Sequence, residues 1–248
     1  MRFEVCVDST EGVLAAQAAG ADRVELCAAL SEGGVTPSAG AIVTALEVAT
    51  IDVHVLVRPR GGDFVYDRHE ILAMRHDIAA AAAAGAHGIV VGALTPDGDV
   101  DTAACRELLS DAGGLSVTFH RAFDMARHPR DALAAVADLG ADRLLTSGQE
   151  ATALGGAALI AELVAAAGER LSVMPGGGVT AGNVRRLLDL TGAREVHFTA
   201  RTTVDSPARH RNPRVAMGSA PGTDEYTRRR TDRATIEALI RAASGRAD

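Results

Sequence analysis

Two cysteines, Cys6 and Cys27, are the residues whose type and spacing best suit a metal ion. Cys6 lies in the β-type segment Glu4–Val7, and Cys27 ends the segment Arg23-Val-Glu-Leu-Cys27. On neighbouring strands, about 4.8 Å apart, two thiolates would suit a soft ion such as Cu(I). A structural zinc site is not indicated, because the chain has no CxxC or His-x3–5-His spacing. Inert packing of two buried thiols is the alternative.

Histidines and carboxylates in other segments could move protons. His120 precedes Asp124 in the segment Thr118-Phe-His-Arg-Ala-Phe-Asp124. The carboxylate could orient the imidazole for general acid or base catalysis, with Glu25 or His197 as the catalytic counterpart. A structural histidine with its hydrogen bonds satisfied is the alternative for His120.

Arginines and glycines predict a site for a carboxylate or a phosphate. Arg58 and Arg60 share one short segment, and paired guanidiniums suit a clamp on an oxyanion. The glycine triplet 176–178 precedes a helical segment, and such a turn can bind an anion. The alternatives are solvated arginines for the first pattern and, for the second, a tight turn with Thr180 as the cap of the following helix. The predicted substrate-binding residues are Arg58, Arg60, Asp63, Arg121, Ser147, Gly176, Gly177 and Gly178.

A pattern that occurs four times indicates which elements position these side chains. It begins at Gly20, Gly85, Gly140 and Gly192, and each copy follows an Ala/Leu-rich helical stretch. The glycine suits the left-handed residue that ends a helix, and a short β-type segment follows it. The spacing between copies holds two strand–helix units, so four copies predict eight units.

Eight alternating units predict a (β/α)8 TIM barrel, an α/β fold, as one domain over residues 1–248. The strands between the repeats are predicted at Glu4–Val7, Val53–Val57, Ser116–Phe119 and Leu171–Met174. An open doubly wound sheet is the alternative, and the lack of a GxGxxG turn after the first strand counts against it. We expect the long polar loop 201–230 to lie over the barrel mouth, as a lid or an oligomer contact.

Alternation along the predicted strands directs polar side chains into the barrel. Val5 and Val7 should face the helices, so that Cys6 faces inward. The other residues predicted to face inward are Glu4, Asp8, Arg23, Glu25, Cys27, His54, Leu56, Arg58, Thr118, His120, Glu195, His197 and Thr199. Buried charges must be paired, so we expect Arg23 and Glu25 to pair with Glu4 and Arg58. Residues at the strand C-termini are the better functional candidates.

Composition excludes several classes of protein. The chain has 248 residues, of which 25 are basic and 32 acidic, with a formal net charge of −7. It has no lysine, so all its basic residues are arginines, and this excludes Schiff-base, pyridoxal-phosphate and Walker-type lysine chemistry. The negative charge argues against nucleic acid or an anionic membrane as partner. We expect no signal peptide and no membrane span, and three reduced cysteines in a cytoplasmic protein.

Several of these segments resemble the CutC family, which is named for copper homeostasis. The matching stretches are Glu4-Val-Cys-Val-Asp-Ser9, Gly20-Ala-Asp-Arg-Val-Glu-Leu-Cys27, Glu32-Gly-Gly-Val-Thr-Pro-Ser38, Arg58-Pro-Arg-Gly-Gly-Asp-Phe64, Thr118-Phe-His-Arg-Ala-Phe-Asp124, Leu145-Thr-Ser-Gly148, Gly176-Gly-Gly178 and Glu195-Val-His197. The resemblance implies a cytoplasmic (β/α)8 barrel linked to copper tolerance or copper binding. It also favours Cys6 and Cys27 as Cu(I) ligands.

Two hypotheses about function follow. The first is a copper-binding protein with Cu(I) at Cys6 and Cys27. The second is an enzyme of lyase, isomerase or hydrolase type that acts on a small phosphorylated or carboxylated metabolite, with His120 as general acid or base. The expected partners are therefore a copper ion or a small anionic metabolite. Assembly into a homodimer or a higher homo-oligomer stays open.

Overall fold

Strands and helices alternate along the computed structural model, which describes residues 1–215, 217 and 224–245. The strands that form the barrel are β1 Arg2–Val7, β2 Arg23–Leu26, β3 Asp52–Leu56, β4 Gly88–Val91, β5 Ser116–Phe119, β6 Arg143–Thr146, β7 Ser172–Pro175 and β8 Glu195–Phe198. The helices are α1 Thr10–Ala18, α2 Ala39–Val48, α3 Arg68–Ala84, α4 Thr102–Leu109, α5 Pro129–Asp138, α6 Ala157–Ala167, α7 Val184–Thr191 and α8 Arg233–Ser244. The predicted TIM barrel is confirmed.

The eight strands are all parallel and follow the order β7-β6-β5-β4-β3-β2-β1-β8. Backbone ladders join each pair of neighbours in that order, but no ladder joins β7 to β8. At this last joint the Ser172 hydroxyl of β7 donates a hydrogen bond to Glu195 Oε1 of β8 over 3.2 Å. The barrel is thus closed there by side chains.

The four repeated glycines end helical stretches, as predicted. Gly20, Gly85, Gly140 and Gly192 have φ of +84°, +90°, +78° and +68°. Residues with a Cβ atom rarely adopt these left-handed values, and glycine does so freely. The chain then enters β2, β4, β6 and β8 in turn. The repeat therefore fixes where every second strand begins.

Side chains on opposite faces of the strands form two separate hydrophobic clusters. The large outer cluster lies between the sheet and the helices and includes Val5, Val7 and Val24. The small inner cluster consists of Cys6, Cys27, Leu56 and Val90, with Leu30 packed against it. The predicted alternation is confirmed for the residues of β1, β2 and β3 among these and for Cys27. Cys105 belongs to the outer cluster.

The segment after β8 contains strands, which corrects the prediction of a loop over residues 201–230. β9 (Arg201–Asp205) and β10 (Thr227–Thr231) pair as an antiparallel ribbon, with Arg201 opposite Thr231. The sequence showed no period here because both faces of the ribbon carry polar residues. Residues 216 and 218–223 of the predicted loop lie outside the described residues.

Among the described helices, none has the length and apolar character needed to cross a membrane.

Candidate functional site

A cavity of about 540 Å³ opens at the carboxyl ends of the barrel strands, where sites lie on this fold. Its polar lining includes Cys6, Glu25, Arg58, His120, Arg121, Thr180, His197, Thr199, Arg201, Arg229 and Thr235. Four arginines are present, and Glu25 is the only carboxylate among the described lining residues. The lining therefore carries more cationic than anionic side chains, although Arg121 and Arg201 are paired with Asp124 and Asp8 outside it.

Cys6 lines this cavity, and the buried Cys27 thiol contacts the Cys6 sulfur. Cys27 extends the β1–β2 ladder, since its N–H donates to Val7 O over 2.9 Å. The two Sγ atoms are 3.5 Å apart, and Cys27 Sγ lies 3.4 Å from Glu25 Oε2. Ligand atoms of Cys6, Glu25 and Cys27 all lie within 4.8 Å of one another, and all three residues are buried. The predicted proximity of the two thiols is confirmed.

The two thiols differ in acidity. The hydrogen bond from Cys27 lowers the pKa of Cys6 to about 5, against the opposing effect of burial and with help from His197. Burial raises the pKa of Cys27, and the neighbouring Cys6 sulfur raises it further. These opposite directions favour a thiolate on Cys6 that accepts a hydrogen bond from the Cys27 thiol.

His197 lies between two buried carboxyl groups. Its Nδ1 is 2.7 Å from Glu4 Oε1, and its Nε2 is 3.8 Å from Glu25 Oε2. Burial lowers the pKa of His197, but hydrogen bonds with Cys6 and Glu4 and the charges of both carboxylates raise it well above its usual value. Burial also raises the pKa of Glu25, as does the Cys6 sulfur. The cavity floor thus holds an imidazolium, a thiolate and a carboxyl group in contact.

The ion pairs of the barrel interior agree only in part with those predicted. Arg23 bonds to Glu4 and, over 2.7 Å, to Glu195 Oε2. Arg143 Nε bonds to the same Glu195 oxygen over 2.9 Å. Glu25 does not bond to an arginine here, because its side chain faces Cys27 and His197. The predicted pairing of Arg23 with Glu4 is confirmed.

The structure shows how the ring of His120 is held, and its catalytic role stays a prediction. The residue is 5% exposed. Its Nδ1 accepts a hydrogen bond from Ala122 N over 3.2 Å at the start of a short 3-10 helix, and its Nε2 has no partner among the described residues. Burial lowers the pKa of His120 to about 3, with a further contribution from the Arg58 charge. The ring is therefore neutral, and its proton is on Nε2.

Asp124 does not orient His120, which corrects the predicted pair. Its two oxygens accept hydrogen bonds from Thr146 Oγ1 (2.5 Å), from Ser147 N and Oγ (3.0 and 2.9 Å) and from Gln149 N (3.2 Å). The Arg121 Nε–H also donates to it over 2.7 Å. The carboxylate is therefore fully used in holding the loop after β6.

Arg58 bonds to the loop before α2 and to its own loop, and Arg60 bonds to its own loop and to α3, so the two do not form the predicted clamp. Arg58 Nη1 donates to the carbonyls of Glu32 and Gly34 over 3.0 and 2.9 Å, and its Nη2 donates to Gly62 O over 2.8 Å. Its Nε has no partner among the described residues. Arg60 bonds to Glu70 over 2.5 Å and also to Asp63, and neither Arg60 nor Asp63 lines the cavity.

Of the other predicted substrate-binding residues, Arg121, Gly177 and Gly178 line the cavity, whereas Ser147 and Gly176 do not. Arg121 Nη2 donates to Ser147 Oγ over 2.7 Å. Gly176 packs against Leu145 and His197, which leave no space for a Cβ atom. The structure thus brings the ends of β5, β6 and β7 together.

Sequence reasoning missed two arginines. Arg143 occupies the same place in the copy Gly140-Ala-Asp-Arg143 as Arg23 does in its own copy, so the repeat could have identified it. Arg201 bonds to Asp8 over 2.9 Å. It belongs to β9, which carried no sequence signal.

Comparisons with known proteins agree with this architecture. The model of the CutC family matches residues 1–202. A CutC family protein of Mesorhizobium japonicum is 48% identical over 241 residues, which is 97% of this chain and 93% of the relative. The copper homeostasis protein cutC homolog of Homo sapiens is 48% identical over 237 residues, 96% of this chain and 87% of the relative.

A crystal structure of CutC from Streptococcus agalactiae is also similar. It is 35% identical in sequence, with a TM-score of 0.76 over 80% of this chain and 98% of that one. The family model covers most of the chain, and the two relatives are nearly half identical over almost its whole length. The chain therefore belongs to the CutC family.

Proposed function

We propose that this protein acts in copper homeostasis in the cytoplasm and binds Cu(I) between Cys6 and Cys27. The observation that carries the proposal is the separation of 3.5 Å between the buried Sγ atoms of Cys27 and of Cys6, which lines the cavity. Thiolates are the ligands that Cu(I) prefers. All three cysteines are unpaired, in keeping with a reducing compartment. The name of the human relative supports the same role.

The chemistry of the donor set fits a soft cation. One sulfur is a thiolate in the free protein, and Cu(I) would displace the proton of the other. Glu25, beside Cys27, is a ready acceptor for that proton. His197 carries positive charge at the same site, which opposes a second cation. These features favour one Cu(I) ion per chain, bound more tightly as pH rises.

Replacement of both sulfur ligands tests the proposal. The double variant Cys6→Ala/Cys27→Ala is expected to lose stoichiometric Cu(I) binding, since no thiolate is left at the cavity. Glu25→Gln keeps both sulfurs and is expected to weaken binding by about tenfold, the lower end for a neighbour of a metal ligand. The measurement is anaerobic competition with a chromophoric Cu(I) chelator.

Cys105→Ala is the matched control, because Cys105 is a buried thiol in α4 that packs between helix and sheet. This variant should bind Cu(I) like the wild-type protein. Circular dichroism would check that each variant is folded. Unchanged Cu(I) affinity in the folded double variant would contradict the proposal.

A second candidate function is acid–base catalysis on a small anionic metabolite. The contact between Glu25 and His197 favours it, since these groups lie 3.8 Å apart and both line the cavity. Proton transfer would fall to this pair, because the chain has no lysine. His120, which keeps a proton on Nε2, would donate a hydrogen bond to a substrate carbonyl oxygen.

Deuterium incorporation tests this second function. Wild-type protein in D2O is expected to exchange the α-protons of at least one member of a panel of phosphorylated ketoses and 2-oxo acids, observed by proton NMR. Glu25→Gln should slow that exchange by about 10²–10⁴-fold. Arg127→Gln, in an exposed pair with Asp99, should exchange at the wild-type rate. Failure of the whole panel to exchange would exclude proton transfer of this type.

A further inference from the structure

We infer that the turn Gly177–Val179, together with Arg121 and His120, is a binding site for the phosphate group of a small metabolite. This site is separate from the sulfur pair and does not depend on Cu(I) binding. It extends the second candidate function by naming the group that anchors the substrate. Three features of the described residues carry the inference.

The first feature is a run of free backbone donors. No described residue accepts a hydrogen bond from the N–H groups of Gly177, Gly178 or Val179, and all three residues line the cavity. Their carbonyl side is fixed, since Gly177 O accepts from Ala153 N over 2.8 Å and Gly178 O accepts from Asn183 Nδ2 over 2.8 Å. Successive amides of a turn directed at one space form an anion-binding concavity.

Backbone conformation makes glycine necessary in this turn. Gly177 and Gly178 have φ of +102° and +69°, in the region that disfavours residues with a Cβ atom. A Cβ at Gly177 would also lie 3.4 Å from Arg121 Cζ and Nη1. The glycines thus allow the backbone to approach the guanidinium closely.

The second feature is the orientation of Arg121. Its Nε bonds to Asp124 and its Nη2 to Ser147, each over 2.7 Å. These two bonds hold the guanidinium plane beside Gly177. Nη1 bonds to no described residue, so it remains available to an oxyanion.

The third feature is the unpartnered donor of His120 at the same cavity. The side chain is buried, Nδ1 is used by the backbone, and the Nε2–H has no acceptor among the described residues. Buried donors in native proteins are normally satisfied, so a ligand atom is expected there. An acceptor oxygen of a ligand would supply the missing hydrogen-bond partner of His120 without requiring a charge on the ring.

Charge selects a phosphate ester over a neutral ligand. Arg58, Arg121, Arg201 and Arg229 line the cavity, and Glu25 is the one carboxyl group among the described lining residues. Outside the lining, Asp124 pairs with Arg121 and Asp8 pairs with Arg201. Amide, guanidinium and imidazole donors that approach from different sides suit the several oxygens of a phosphate better than the planar pair of a carboxylate. A volume of about 540 Å³ admits a small sugar phosphate or triose phosphate.

Isothermal titration with inorganic phosphate, glycerol 3-phosphate and glycerol tests the site. Wild-type protein is expected to bind both phosphates, the ester more tightly, and not to bind glycerol. Arg121→Gln should weaken binding by about 10–100-fold, the effect of losing one charged donor. His120→Asn, which keeps an acceptor for Ala122 N, should weaken it by about tenfold.

Matched variants separate this inference from the others. Arg127→Gln removes an arginine that is paired with Asp99 outside the cavity, and it should bind like the wild type. Cys6→Ala/Cys27→Ala should keep phosphate binding while losing Cu(I), and Glu25→Gln should keep it while losing proton exchange. No binding by wild-type protein, or equal binding by Arg121→Gln, would overturn the inference. Binding of inorganic phosphate without the ester would overturn the assignment to a metabolite.

Discussion

Replacement of Arg23 by methionine is expected to lower the free energy of unfolding by about 3–5 kcal/mol, the largest effect of a single change in the barrel interior. Arg23 is 2% exposed and bonds to Glu4 and Glu195. Methionine fills similar space but leaves Glu4 with no arginine in contact. Glu4 would keep its contact with His197 but lose the attraction of Arg23, which offsets part of its desolvation penalty.

The loss of unfolding free energy in Arg23→Met should depend on pH in a defined direction. Burial raises the pKa of both Glu4 and Glu195, but hydrogen bonds and the charges of neighbouring cationic groups outweigh it, so both folded-state values lie below the usual 4.5. These groups therefore stabilise the wild-type fold above pH 4.5, and that stability is lost as the pH falls. Without Arg23 this contribution to stability is smaller. The difference in free energy of unfolding between variant and wild type should therefore become smaller in acid.

Urea unfolding at pH 7 and pH 4 measures both effects. The double variant Arg23→Met/Glu4→Gln should recover part of the lost stability, because the buried charge of Glu4 is removed. Arg130→Met is the control, since Arg130 forms an exposed pair with Glu162 and should lose less than about 1 kcal/mol. If Arg23→Met also lost less than about 1 kcal/mol, a structural role for these interior ion pairs would be contradicted.

Replacement of Asp124 by asparagine is expected to lower the free energy of unfolding by about 2–3 kcal/mol. Asp124 is an acceptor for donors on Arg121, Thr146, Ser147 and Gln149. An amide keeps one acceptor oxygen and places an NH2 group against the remaining donors. Its side chain is 6% exposed, so water cannot replace the lost bonds.

Asp99→Asn is the matched control for this second effect. Asp99 also pairs with an arginine, Arg127, but its side chain is 50% exposed, so the loss should stay below about 1 kcal/mol. Urea unfolding of the two variants gives the comparison. Equal stability of the Asp124 and Asp99 variants would show that the loop after β6 does not need the carboxylate.

Local patterns in the sequence were sufficient to predict the barrel and its sulfur pair. Helix-ending glycines recur at fixed places, and alternation within β1 and β2 directs Cys6 and Cys27 to the same side of the sheet. Parallel pairing then brings the two residues together. Each of these predictions depends only on the strand that contains the residue or on the neighbouring strand. Alternation of side chains with a period of two is sufficient to predict such short-range relations.

The hydrogen-bond partners at the mouth could not be predicted in the same way. Arg58 bonds to carbonyls of three loop residues, and any residue type presents a carbonyl. His120 and Asp124 are close in sequence, but the 3-10 helix after β5 turns one to the backbone and the other to the loop after β6. Such choices depend on the path of loops from different units, which sequence spacing does not record.

The side-chain contacts between β7 and β8 have a consequence for how this barrel can open and aggregate. Every other joint is a backbone ladder, so loss of the contacts that Ser172 and Arg143 make with Glu195 leaves two open edge strands at one place. Both strands are rich in buried apolar residues, among them Val173, Val196 and Phe198. Open apolar edges pair with other chains. We therefore expect the polar cluster at this joint to oppose aggregation.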